Sequence, residues 1–443
     1  MSFSVFDLRL EVSKRLDKIY YNLMQVVMIN RDFFNRKSII PHQAREGLIL
    51  IISMFAALLL ANSPLADYYD TFWNELAYLQ FASYKASFTL REFVNDGLMT
   101  IFFLAIGCEL KRECVEGSLS SFKRVGLPLI SAIGGMAVPA LIYVGVYCFA
   151  KANLPEPPSL SALHGWAIPT ATDTAFALGI LGLMSKRVPP SLMTFLMAGA
   201  ITDDLGAIAI IGLFYSESWD LTGVVQMLAV IFILFLIART HVKTVFPYVL
   251  CGVLLWFAAH TAHIHTSIAG IILAAFIPMQ TNKKERDQEG GSMLFKIEGF
   301  CKPLVAFIIL PIFALANAGI DLSGITIDGL LSPVTFGVSS GLFIGKPLGI
   351  MLFAFLAVKS GLAVLPFGTK WRQVFAVSMF YGIGFTMSLF IGLLAFNTEE
   401  HIQAMKIGVL LGSVLSVTVG ILVVSSQKKL HTLTTKAADI MNH

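Results

Sequence analysis

The stretch LMTFLMAGAITDDLGAIAIIGLF, residues 192–214, sets two adjacent carboxylates, Asp203 and Asp204, in the middle of a run that is otherwise apolar or small. Residues 193–199 and 206–213 hold no charge, so the pair lies near the centre of a segment long enough to cross a bilayer as a helix. An acidic residue at the centre of a membrane helix costs roughly 2.5–3.5 kcal/mol on insertion scales, so such groups persist where they line a polar pathway or meet a partner. The pair therefore marks a candidate ion or proton site. The plainer alternative is two buried acids satisfied by hydrogen bonds alone.

The rest of the chain supports a membrane setting. Apolar residues make up 56% and charged residues 14%, against about 45–50% and about 25% in a soluble domain. At roughly 20 residues per transmembrane helix, 443 residues accommodate about twelve spans in one integral domain. The five cysteines, Cys108, Cys114, Cys148, Cys251 and Cys301, sit in or beside apolar segments without Cys-x-x-Cys spacing, which excludes a disulfide framework or a thiolate metal site. No basic stripe points to nucleic acid, and nothing points to a cofactor. Residues 1–44 lack the apolar core and small-residue cleavage site of a signal peptide. They are expected to form a cytoplasmic extension, either an amphipathic helix on the inner membrane face or a solvated one.

Spans are expected at about 47–61, 94–107, 125–150, 163–184, 192–214, 221–238, 245–258, 260–279, 303–319, 333–358, 374–396 and 404–424, with a basic tail from 428 to 443. Residues 62–92, between the first two, allow a small outer hairpin, and 280–299 form the longest polar loop. Lysine and arginine placement tests this topology, because short cytoplasmic loops carry the excess. With both termini inside, all 32 fall on the inner side except outer Lys85, Arg91 and Lys151, intramembrane Lys346, and Lys406 at the start of the last span. Shifting the register by one span would scramble that separation.

Spans four and eleven are interrupted, the first by Pro169-Thr-Ala-Thr-Asp173 and the second by Gly382-Ile-Gly-Phe-Thr-Met-Ser388. They occupy the middle of two three-span groups, three to five and ten to twelve. Three being odd, the groups start from opposite sides of the membrane, the arrangement of inverted-topology repeats whose broken helices cross at the midplane. The fold class is therefore an all-α integral membrane protein of about twelve helices with two broken, crossing helices. Broken helices leave about half an elementary charge at each facing end, and these ends are costly in lipid. Asp173 can offset facing N-termini and Lys346 facing C-termini, as purely structural compensation or as part of the ion path.

Adjacent residues on a helix point about 100° apart, so Asp203 and Asp204 need not share a partner. One can pair with Lys346 while the other faces water. A carboxylate stripped of water holds its proton to higher pH, and a nearby ammonium does the opposite. Near neutral pH, protons and a hard cation then compete for the same oxygens, which is the physics of exchange. Carboxylate oxygens, a hydroxyl such as that of Thr172, and water suit Na⁺ or Li⁺.

Five segments carry a resemblance: GWAIPTATDTAFALG (165–179), DDLGAI (203–208), LANAG (315–319), GKPLG (345–349) and GIGFTMS (382–388). Over about residues 45–425 the chain resembles the NhaA family of bacterial Na⁺/H⁺ antiporters. The resemblance implies that Asp204 is the principal cation and proton ligand, that Asp203 is the partner of Lys346, and that Asp173 and Thr172 sit at the crossing. It also implies an electrogenic inner-membrane exchanger that expels Na⁺ or Li⁺ and takes up more than one proton per cation, as a homodimer formed partly through the outer hairpin.

The same resemblance places Glu109, Arg112 and Glu113, with Glu298, among positions tied to alkaline activation at the cytoplasmic funnel, and His265 at another position linked to pH response. For the acids and Arg112 the plainer account is a charged helix end, and for His265 an ordinary hydrogen-bonded histidine. Where some family members carry histidines beside Glu298, this chain has Gly299 and Lys302. Two rival functions remain open. An intramembrane aspartyl protease needs its two aspartates on different helices sharing a proton, whereas these are adjacent. A sodium-coupled symporter of related architecture would need a larger polar cavity for an organic solute.

Overall fold

A backbone in hydrocarbon must satisfy its N–H and C=O groups internally, and this chain does so by winding into helices. A computed structural model describes residues 42–81, 84–117, 122–184, 187–215, 220–240, 242, 244–279, 292–323, 326–366 and 369–426. Most of the expected N-terminal extension (1–44), all of the tail (428–443) and residues 280–291 of the long loop lie outside them.

The helices are α1 (His42–Ala61), α2 (Ala66–Asn74), α3 (Leu90–Val115), α4 (Phe122–Asn153), α5 (Thr174–Leu183), α6 (Pro190–Phe214), α7 (Leu221–Arg239), α8 (Phe246–Thr261), α9 (Ile268–Phe276), α10 (Met293–Asn317), α11 (Pro333–Lys359), α12 (Trp371–Tyr381), α13 (Phe385–Ala395) and α14 (Glu399–Ser425). Among the described residues, strands occur in the segment between α2 and α3, where Leu76–Phe81 and Tyr84–Thr89 pair antiparallel from Leu76↔Thr89 to Phe81↔Tyr84. Thr89 ends the ribbon and starts α3 with a reciprocal cap: its hydroxyl accepts from Glu92 N, and the Glu92 carboxylate accepts from Thr89 N.

Among the described residues, seven helices are long and apolar enough to cross a membrane, and nine if each of two bent pairs counts as one span. The pair α1–α2 turns through 113° and the pair α12–α13 through 45°. The fourth apolar segment is shorter as α-helix than its sequence suggests because its first half, Leu160–Thr170, winds as a 3₁₀ helix. At a rise of about 2.0 Å per residue, such a stretch covers about 22 Å with fewer residues than an α-helix needs.

Sequence reasoning missed three widened π turns inside long helices: Phe93–Leu98, Val305–Ile309 and Gly341–Gly345. Two of them end two residues before a proline, Pro311 and Pro347. Proline has no N–H for the carbonyl four residues back, which in each case lies within the π turn, so the widened turn accommodates the missing donor. The turn before Pro347 leads directly into Lys346.

The chain divides into two units. Among the described residues, one comprises 100–111 together with those from 220 to 305. Its core gathers Cys108, Leu234, Tyr248, Leu255, Leu273 and Leu294. Lys111 closes the end of α9 by donating to the carbonyls of Ala275 and Ile277, both at 2.7 Å, and Asp220 caps the start of α7 through Thr222 N and Gly223 N.

The other unit comprises residues 42–99, 112–218 and 306 onward. Here α4 and α11 meet backbone to backbone: a Cβ on Gly349 would lie 2.1 Å from the Gly134 carbonyl oxygen, and one on Gly134 would lie 2.4 Å from that of Gly349. Small residues permit this approach where lipid offers no hydrophobic drive between helices. Gly349→Ala is expected to lower stability by about 1–3 kcal/mol, the usual cost of overpacking, read as a lower melting temperature in detergent. An unchanged midpoint would count against the contact. At one end of α10, the Tyr69 hydroxyl donates to Leu315 O at 2.6 Å, closing a carbonyl that the helix leaves open, and the Asn62 amide donates to Ile320 O at 2.7 Å in the stretch that follows.

A charged centre between two interrupted helices

The fourth segment stops its 3₁₀ helix at Thr170 and restarts as α5 at Thr174, with Asp173 as N-cap. One Asp173 oxygen, Oδ1, accepts from Phe176 N at 3.0 Å, the usual capping bond. The other, Oδ2, accepts from Thr386 N at 3.0 Å and Thr386 Oγ1 at 2.6 Å, in the first turn of α13. A single buried carboxylate thus serves two helix N-termini, its own and the facing one, where each carries partial positive charge. The backbone adds a tie in the other direction, Asp173 N donating to Ile383 O at 2.6 Å. Ser388 Oγ donates to Ile168 O at 2.7 Å, so the two interruptions are joined on both sides.

Lys346, Thr172 and Asp203 form a second cluster. Lys346 is wholly buried, and its ammonium donates to Asp203 Oδ2 at 2.6 Å and to Thr172 Oγ1. The Thr172 hydroxyl has Asp203 Oδ2 at 2.7 Å and Tyr381 O, at the end of α12, at 3.0 Å. Its one proton serves one of these acceptors at a time. The second carboxylate oxygen, Asp203 Oδ1, is buried without a hydrogen bond to any described residue. Asp204, one position on, is half-buried and lies within electrostatic reach of the Lys346 ammonium.

The structure therefore brings Thr172, Asp173, Asp203, Asp204 and Lys346 into one unit, from the first interruption, α6 and α11. Of the pH-response candidates, Arg112 and Glu113 belong to the same unit. Glu109, Glu298 and His265 belong to the other unit, where Lys302 bridges Glu298 Oε1 at 2.9 Å and Glu109 Oε1 at 3.1 Å. His265 Nδ1 is 2.6 Å from Ser267 Oγ. Arg112 pairs with its neighbour Glu113 at 2.6 Å. Sequence reasoning missed the roles of Thr386, Tyr381 and Lys302. Thr386 and Lys302 stood in or beside segments already singled out, but their partners lie 213 and 193 residues away.

Charges of both signs, buried among apolar helices and fixed between interrupted ones, define an ion-coupled secondary transporter spanning the membrane several times. Comparison with known proteins then makes the assignment specific: the family model described as Na⁺/H⁺ antiporter 1 matches residues 37–424, and the chain belongs to that family. It is a transporter and not an enzyme. It is 46% identical over 382 residues to the Na(+)/H(+) antiporter NhaA 2 of Pseudomonas savastanoi pv. phaseolicola, covering 86% of this chain and 92% of that one. It is 44% identical over 397 residues to the Na(+)/H(+) antiporter NhaA of Aliivibrio fischeri, covering 89% and 98%. Among solved structures, the sodium proton antiporter MjNhaP1 of Methanocaldococcus jannaschii superposes with a TM-score of 0.48 at 15% identity, covering 86% of this chain and 92% of that one.

Proposed function

We propose that this chain exchanges internal Na⁺, or Li⁺, for external protons by alternating access, with cation and proton competing at Asp204 and Asp203. The observation that carries this reading is the division of labour between the two carboxylates. Asp203 is bonded to Lys346 and Thr172 through one oxygen, and Asp204 stands beside it, half-buried and turned to a different side of α6. The neighbouring ammonium compensates the charge that a departing proton leaves at Asp203, and a hard cation does the same at Asp204. Lys346 sits where it can either balance charge or carry a proton. Exchange of more than one proton per cation makes the cycle electrogenic.

The proposal extends to the frame. Twelve spans, counting the 3₁₀ helix with α5, α12 with α13 and the short helices α8 and α9, give inverted repeats made of spans three to five and ten to twelve. Residues 45–427 then form the transport body in a bacterial inner membrane, with residues 1–44 and 428–443 as cytoplasmic extensions. The outer ribbon offers a strand edge for a homodimer. Glu109, Arg112, Glu113, Glu298 and His265 are proposed to set the pH response, with Lys302 as the cation that joins two of the acids.

Everted vesicles with an acid, positive interior test the exchange reading. Added Na⁺ or Li⁺ is expected to dissipate the pH gradient, and K⁺ is not. Collapsing the membrane potential is expected to slow that dissipation, because each cycle carries net positive charge out of the vesicle. No response to Na⁺ or Li⁺ between neutral and alkaline pH would sink the proposal.

A further inference from the structure

Tyr381 is the last residue of α12, and it makes two kinds of contact that bear on Asp203, one with its hydrogen-bond partner Thr172 and one with its helix, α6. Its main-chain oxygen accepts from Thr172, the hydroxyl that also reaches Asp203 Oδ2. Its side chain crosses to α6, where the phenol oxygen donates toward the carbonyls of Phe195 at 2.8 Å and Leu196 at 3.1 Å. The ring is seated as well as bonded: a Cβ on Gly199 would lie 2.0 Å from the Tyr381 hydroxyl and 2.9 Å from the ring carbon that bears it. Gly199 is one turn before Asp203 and Leu196 two turns before it, so notch, carbonyl and carboxylate share one face of α6. The side chain is fully buried and stacks edge-on to Phe195 at 6.1 Å.

These facts distinguish Tyr381 from core filling. An aromatic used only for volume needs no notch in the neighbouring helix and no partner for its hydroxyl. Here both are present. The helix ends at Tyr381, so its carbonyl is among those left without an intrahelical donor. Fixing that carbonyl against α6 holds Thr172, one corner of the triangle that Thr172, Asp203 and Lys346 form. Turning α6 about its axis would carry Asp203 away from Lys346 and, about 100° around, change what Asp204 faces.

We propose that Tyr381, seated in the notch at Gly199, is a positioning residue for cation exchange: it locks the rotation of α6 against the interruption after α12 and so aims Asp203 and Asp204. The inference rests on the exchange reading above. During alternating access, α6 and the end of α12 then move as one piece.

Tyr381→Phe keeps the ring and removes the tie. In everted vesicles the Na⁺ concentration giving half-maximal dissipation is expected to rise about three- to tenfold, the change one neutral hydrogen bond supports, with the maximal response retained and the melting midpoint lowered by no more than a few degrees. Gly199→Ala pushes the ring out of its notch and is expected to raise the same half-maximal concentration. Because notch and hydroxyl form one device, the double variant should be no worse on this measure than the worse single one.

An unchanged half-maximal concentration in Tyr381→Phe overturns the proposal. So does a fall in maximal response that tracks lost folded protein without a change in Na⁺ dependence, and so do additive effects in the double variant. A wild type that fails to respond to Na⁺ at all removes the exchange reading and this inference with it, an outcome separate from an active wild type matched by Tyr381→Phe.

Discussion

Asp204→Asn is expected to abolish Na⁺- and Li⁺-dependent dissipation of the pH gradient while leaving folded protein at wild-type level in the membrane. A unit charge beside a cation at about 4 Å contributes about 4 kcal/mol at an effective dielectric constant of about 20. That is about three decades of affinity. Asparagine keeps the shape and one carbonyl oxygen but supplies neither the charge nor a proton to exchange. Because Asp204 is half-buried, with Asp203 taking the direct bond from Lys346, its neutralisation strands no fully buried ammonium. The measurement is a Na⁺ titration in everted vesicles, alongside the melting midpoint of the purified variant. Retained dissipation would move the cation site away from Asp204.

The charge pairing was legible because intramembrane charges have few ways to be satisfied. Lys346 and the two aspartates stand alone in uncharged stretches, so opposite charges had to meet or face water. The structure puts Lys346 Nζ 2.6 Å from Asp203 Oδ2. The interruptions were also legible, from Pro169 and from Gly382 and Gly384. What surrounds them was not. Helices apolar on every side carry no periodicity that could reveal a change of pitch, so the 3₁₀ winding of Leu160–Thr170 and the π turns left no pattern of their own. Prolines 311 and 347 were the local signal, because a missing donor inside a helix must be absorbed somewhere.

Tyr381 was hidden for a different reason. An aromatic in an apolar run reads as core or lipid-facing surface, and a glycine in a membrane helix reads as a packing site. Only the pairing of Tyr381 with Gly199, distant in sequence, turns both into one contact. Lys302 was hidden in the same way, noticed as a lysine beside Glu298, with Glu109 supplied by a different helix.

Lys346→Ala is expected to cost about 3–5 kcal/mol of stability, because it leaves a buried carboxylate without its counter-charge. The loss is larger than an ion pair normally contributes at a surface, where the median is about 0–1 kcal/mol. In the variant, Asp203 would retain only the Thr172 hydroxyl, which Tyr381 O also competes for. The melting midpoint in detergent should therefore fall by several degrees, and exchange should fall with it. A second variant separates charge from volume. Lys346→Ala combined with Asp203→Asn leaves no buried charge, and replacing both members of a buried pair is often close to neutral, so the double variant should recover most of the lost stability. If it melts as low as Lys346→Ala alone, the deficit comes from the missing lysine stem, which also packs, and the ion pair is not what holds the centre together. If Lys346→Ala melts like wild type, the pair contributes nothing to stability, and its place in the structure must be explained by transport alone.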